Sequence, residues 1–304
     1  MPNVSYIVEG NTVEYKPYIP PYQGFCKLTL NNGEVVELEG SGQLTSAMTS
    51  SYKSTLVSAE IGTLCTSIGN GTFASCTSLT SCTIGNSVTS IGNNTFTNCY
   101  GLTSIDIPDS VTSIASDTFR GCTSLSSCTI GNSVTSIGSY AFGFCSGLIR
   151  LNSDTDGVFN IPSGVTSIGE SVFNSCSGLT SIDIPNSVTS IDSYAFQGCR
   201  SLTSIEIPDS VTSIGNNVFY NCSGLTSCTI GSGVTSIGNI AFYQCSGLAT
   251  ITSRIMSAPS VGGGTFFSVS NNGTLYVPRG SSGYETWMNN QGNLGQYNWT
   301  KVEQ

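Results

Sequence analysis

The stretch SCTIGNSVTSIG at Ser81–Gly92 stands again, letter for letter, at Ser127–Gly138, and as SCTIGSGVTSIG at Ser227–Gly238. Working outward, a phenylalanine followed three residues later by a cysteine keeps the same register. Phe73, Phe96, Phe119 and Phe142 are 23 residues apart, and so are Phe173, Phe196, Phe219 and Phe242. The one irregular step, Phe142 to Phe173, is 31 residues, one period plus eight. Leucine opens each unit, from Leu56 and Leu79 to Leu225 and Leu248, which gives about nine coils. A fixed period of this size is the mark of a stacked array.

Within a unit, two short β-patterned stretches alternate. LTSIDIP points Leu102, Ile105 and Ile107 inward, and VTSIG adds Val111 and Ile114. Pro or Gly turns the chain, and Phe plugs the far side. Twenty-three residues cannot bury such an apolar set alone, whereas stacking turns each position into a column and builds one continuous core. At ~4.8 Å per stacked strand, nine coils span roughly 40 Å.

The segment LTSIDIPNSVTSIDSYAFQGC at Leu179–Cys199 resembles the BspA-like, or Treponema pallidum-type, leucine-rich repeat along its whole length. The resemblance runs from Leu56 to about Ile251, and the tail from Gly273 is similar to the C-terminal cap of that family. It implies a curved, β-rich leucine-rich-repeat solenoid with parallel strands on the concave side. It also implies surface display, adhesion or partner binding without catalysis. The expected organisation is an N-terminal cap or anchoring module at 1–52, of β or mixed structure, the solenoid at 53–253 and a C-terminal cap at 254–304.

Composition excludes several function classes. Charged residues are 9% of the 304, against roughly 25% in ordinary soluble domains. The net charge is −9 with nine basic residues, which argues against a nucleic-acid surface. No apolar run reaches the ~20 residues of a membrane-spanning helix. There is no histidine, so the commonest general base and zinc ligand are missing. A catalytic set would rest on carboxylates such as Asp106 and Asp183, which lie in separated coils. Neither an enzyme nor a cofactor nor a metal is expected.

The 13 cysteines read as core. Eight form the column from Cys76 to Cys245. Cys82, Cys128 and Cys228 fill the slot held by Ile105, Ile182 and Ile205 elsewhere, and Cys65 falls in the slot of Val88 and Val111. A slot that trades Cys with Ile and Val is apolar, and buried free Cys behaves as a small hydrophobe. A ladder of disulfides is the alternative, since stacked columns lie within bonding distance.

Three places are candidate binding sites. Strand alternation turns one column outward: Glu60, Thr83, Asp106, Thr129, Asn160, Asp183, Glu206 and Thr229. It reads either as a surface for a polar or glycan partner or as a solvated strand face with its acids kept apart. The eight extra residues lie between Leu148 and Pro162, where Asn152, Asp154 and Asp156 match the opening of a calcium loop whose twelfth position is Ser163 rather than Glu. A polar bulge is the plain reading, and the loop is the first choice for a local specificity element. At the N-terminus, Tyr15, Tyr18 and Tyr22 among Pro17, Pro20 and Pro21 suit an arm laid along a partner. An Asn-Asn-Gly hairpin and a short helix are expected to follow.

The start of the chain has no basic, apolar and cleavage regions of a signal peptide. A bacteriophage virion decoration or fibre protein, docked through its N-terminal region to other virion proteins, fits that reading. The alternative is a secreted bacterial surface adhesin. Either would meet a protein or glycan partner, and a homo-oligomer is consistent with both.

Overall fold

A computed structural model describes residues 4–9, 12–17, 21–153, 159–289 and 293–304. It is a β-solenoid. One parallel sheet carries the strands Leu56–Ile61, Ser81–Ile84, Ser104–Ile107, Ser127–Ile130 and Arg150–Leu151, and a second run carries Ser204–Ile207, Ser227–Ile230, Thr250–Ser253, Thr274–Val277 and Thr300–Glu303. The VTSIG stretches supply two-residue strands such as Ser113–Ile114 and Ser136–Ile137, which stack in a parallel sheet of their own. The turns number about eleven rather than nine. The two further turns hold Thr274–Val277 and Thr300–Glu303, within the segment expected as the C-terminal cap.

The core follows the columns read from the sequence. Leu102, Ile105, Ile107, Val111 and Ile114 are all buried. Cys82 lies opposite Ile105, which lies opposite Cys128, so one apolar slot accepts either side chain. The phenylalanines form one stack from Phe73 to Phe266, with centroids 5.0–5.7 Å apart and rings within 21° of parallel. Trp287 closes it, 5.2 Å from Phe266 and tilted 45°. The slot after the strands holds either glycine or proline in most coils, and where it is glycine the preceding coil stands close: a Cβ on Gly131 would stand 2.6 Å from the Pro108 carbonyl oxygen.

The N-terminal end is covered by antiparallel pairing. Cys26–Leu30 pairs with Val35–Leu38 across the expected Asn-Asn-Gly turn and with Leu56–Ile61 of the first coil. The expected helix is one short turn, Ser46–Thr49, followed by a 3₁₀ turn at Ser50–Tyr52. No helix of the described residues is long and apolar enough to cross a membrane.

The eight-residue insertion doubles a strand on one side only. Arg150–Leu151 pairs with Ser127–Cys128. Phe159 then bridges back to Leu151, and Asn160 bridges forward to Asp183, both in parallel. Leu151 and Phe159 are both buried, so two residues eight apart take the same inward slot. On the opposite side Phe142 stacks directly on Phe173 at 5.7 Å. One face therefore gains a layer of about 4.8 Å that the other lacks. Both parallel sheets break at this coil, the short one stopping at Ser136–Ile137 and resuming at Ser167–Ile168.

Candidate functional site

Strand register gathers the outward column of the main sheet onto one face. Its four-residue repeat strands alternate between buried and exposed or half-buried residues, as in Ser104–Ile107, because successive strand side chains leave opposite faces. Parallel register then aligns like positions. Glu60 faces Thr83, Asp106 faces Thr129, Asn160 faces Asp183, and Glu206 faces Thr229. Thr83, Asp106, Thr129, Asp183 and Glu206 are exposed, while Glu60, Asn160 and Thr229 are half-buried. All eight residues thus share one face, and Thr252 and Tyr276 continue it.

Two polar recesses flank the column at the strand ends. The larger, about 730 Å³, lies where the strand is doubled and is lined by Thr129, Asn132, Asn152, Asn160 and Asp109 among others. The second, about 480 Å³, is lined by Asp183, Glu206, Asp209 and Arg254 with Pro185 and Pro208. Arg254 reaches back to Glu206 at 2.7 Å and to Asp209 at 4.0 Å. The pair is exposed, so it contributes about 0–1 kcal/mol to stability and serves to place charge. The Ser232 backbone N–H donates to Asp209 at 2.7 Å. That bond and Arg254 hold the Asp209 carboxyl below the usual carboxylate range. At the other end, Lys27 pairs with Glu60 at 2.7 Å.

Asn152 is built into the doubled strand. Its Oδ1 accepts the Ile130 N–H at 2.5 Å, its Nδ2 donates to the Asn160 carbonyl at 3.0 Å, and Asn160 Nδ2 donates back to the Asn152 carbonyl at 3.1 Å. Its amide is thus spent on backbone groups rather than aimed at a cation. Asp154 and Asp156 lie outside the described residues. Among the described residues no group of three or more acidic, Cys or His side chains is placed to hold a metal ion.

The N-terminal tyrosines separate. Tyr15 lies in the strand Thr12–Pro17, opposite Tyr6 of Val4–Glu9, and Tyr18 lies outside the described residues. Tyr22 is half-buried, with its carbonyl accepting the Thr63 N–H at 3.0 Å. It packs on the first coil, where Gly62 leaves room for its ring. Sequence reading missed Arg254 and Asp209 at the site. The signal for Arg254 was present: it stands in the slot that other coils give to Pro108, Gly131, Pro208 and Gly231.

The column can donate and accept hydrogen bonds and present isolated carboxylates. All 13 thiols are buried and free, and burial raises them, Cys122 to about 12, which leaves them protonated and unreactive.

A family profile described as the BspA type leucine rich repeat region matches residues 48–156 and 157–272, in six copies. Leucine-rich repeats are in general non-catalytic binding modules, and no enzyme family is indicated. Among solved structures, a Treponema pallidum leucine-rich repeat protein is 29% identical, covering 54% of this chain and 75% of that one, with a TM-score of 0.50. A leucine-rich repeat protein from Bacteroides ovatus is 20% identical over 100% of this chain and 99% of that one, with a TM-score of 0.43. A leucine rich cell surface protein from Faecalibacterium prausnitzii is 24% identical over 82% and 93%, with a TM-score of 0.29. The search of curated proteins finds no match. With the repeat, the stacked register and the profile in agreement, the chain belongs to the BspA-type leucine-rich repeat family.

Proposed function

We propose that the chain is a non-catalytic display and binding module, and that the outward column with its two recesses meets a polar protein or glycan partner. The observation that carries this reading is the in-register ladder of acids and hydroxyls held open on a rigid sheet. A fixed lattice of donors and acceptors suits a partner rich in hydroxyls or amides, because little order has to be gained on binding.

Asp106→Asn and Asp183→Asn test the surface. Both side chains are exposed, so each change should alter unfolding free energy by less than ~0.5 kcal/mol. The whole chain is screened on a glycan array, and the best-bound glycan is titrated against wild type and both variants. A fivefold or greater loss of affinity is expected. Unchanged affinity in both moves the site to the loop around Asn152 or to the N-terminal region.

Where the module is displayed is a separate matter. The virion placement, with the N-terminal region as the dock, stands as a proposal. A bacterial envelope placement is the competing proposal. Peptide mass spectrometry on gradient-banded particles against cell envelopes of the source culture separates the two.

A further inference from the structure

The side of the solenoid opposite the main sheet carries aromatic residues at backbone positions that most coils give to Asn, Asp, Gly or Ser. Each coil passes through left-handed backbone twice, two residues before and two after the core phenylalanine. Asn94 and Asn98 have φ of 57° and 59°, Asp117 and Gly121 have 57° and 74°, and Asn217 and Asn221 have 56° and 58°. These residue types tolerate that region, whereas bulky side chains are strained there. Yet Tyr140 (55°), Phe144 (63°) and Tyr194 (63°) occupy the same positions, as do Ile240 (59°) and Gln244 (59°) in a later coil, and the three aromatic residues fall close together along the stack. Tyr140 is half-buried, but burial does not compensate at the other two: Phe144 is 41% exposed and Tyr194 is 36% exposed. Strain held at exposed aromatic side chains points to a function.

Their surroundings give the chemistry. The Arg120 guanidinium lies 5.0 Å from the Tyr140 ring centre and 5.5 Å from that of Phe144. Asp117 stands 3.2 Å from it in an exposed bridge. Two coils further on, beside Tyr194 in the chain, a notch of about 380 Å³ is lined by Gln197, the exposed Arg200 and uncharged residues, with no carboxylate. The ridge spans four coils, Phe119 to Phe196, or about 15 Å.

We propose that this ridge, Arg120, Tyr140, Phe144, Tyr194, Gln197 and Arg200, docks a protein segment that presents a carboxylate beside an apolar side chain. Tyr, Phe and Arg together are the composition enriched where proteins meet. Charge complementarity selects the acid: the chain has a net charge of −9 and Glu170 and Asp192 are exposed near the ridge, but the notch itself is lined by Arg200 without a carboxylate. A sugar is the weaker fit, since the guanidinium already covers a face of Tyr140 and of Phe144 where a pyranose would stack. The ridge is independent of the outward strand column, so either reading can fail without the other.

The test pans the whole chain against a random dodecapeptide phage library. Enriched peptides are synthesised with fluorescein and titrated by anisotropy. The expected peptides carry Asp or Glu next to Leu, Ile or Phe. They lose tenfold or more in affinity for Phe144→Asn, Tyr194→Asn and Arg200→Ala, and bind Asp106→Asn and Asp183→Asn like wild type. The thermal midpoint of Phe144→Asn and Tyr194→Asn stays level or rises, because Asn relieves the strain. A fall of several degrees would make the rings packing residues and overturn the proposal. So would a library without enrichment, enriched peptides lacking acids, or affinity unchanged in the ridge variants. Self-association in analytical ultracentrifugation that vanishes in Phe144→Asn would seat a second copy on the ridge and overturn it as well.

Discussion

At the residue scale, the cysteine column does more than fill space. Cys99, Cys122 and Cys145 donate their S–H to the carbonyls of Phe73, Phe96 and Phe119 in the preceding coil at 3.0–3.1 Å. Each carbonyl also accepts the backbone N–H of the cysteine three residues later in its own coil, at 3.0–3.1 Å, so a valine would remove a weak second donor and leave the carbonyl paired. The slot holds Cys from Cys76 to Cys245 but Val269 after Phe266, so the S–H bond favours Cys there without requiring it. Burial raises Cys122, Cys176 and Cys222 to about 12 from an ordinary value of 9.0. Because the folded values lie above the unfolded ones, this stability is fully present below pH ~9 and is lost as pH rises toward 12. The melting midpoint should therefore hold level from pH 6 to 8 and fall steadily above pH 9, as followed by circular dichroism. A midpoint unchanged to pH 11 would contradict buried thiols. Phe119 is stacked on both sides, at 5.5 Å on Phe96 and 5.3 Å on Phe142. Phe119→Ala should cost about 3–5 kcal/mol in a denaturant titration, and a loss below ~1 kcal/mol would refute the column.

The insertion is the informative element. Leu151 and Phe159 occupy one slot twice, so removing residues 151–158 leaves Phe159 where Leu151 stood and restores the 23-residue spacing. That deletion should fold, join the two halves of each sheet and change the bend at this coil. Small-angle scattering should show an altered maximum dimension with unchanged strand content. Loss of the cooperative melt would mean that the doubled strand is required for folding rather than for shape.

Across the whole molecule, the solenoid is a one-dimensional stack whose open ends need covers. Trp287, Tyr284 and Leu294 are fully buried at one end. Tyr284 hydrogen-bonds Ser253 at 2.6 Å and the Ile255 carbonyl at 2.8 Å. Ending the chain at Ser253 exposes Phe242 and the strand Thr250–Ser253. Size-exclusion chromatography with light scattering should then report aggregates or an early melt. A monomer of native stability would show that 254–304 is dispensable to the core. The Lys301 ammonium lies 3.7 Å from Glu285 and 3.5 Å from Glu303, and such charges protect the last strand from edge pairing.

The 23-residue period, the inward Leu, Ile, Val and Phe columns and the outward Glu60-to-Thr229 column were legible in the sequence, because a repeat compares each position with itself. Tertiary structure decided what the repeat cannot encode. Arg254 meets Glu206 across 48 residues, a contact that only stacking creates. The doubled strand at Leu151 and Phe159 depends on how eight residues settle between two finished layers. The strain at Tyr140, Phe144 and Tyr194 is a property of backbone angles, to which a list of side chains is blind. Local pattern sets which residues must be buried, whereas the meeting of distant residues and the direction of the backbone arise only when the coils are stacked.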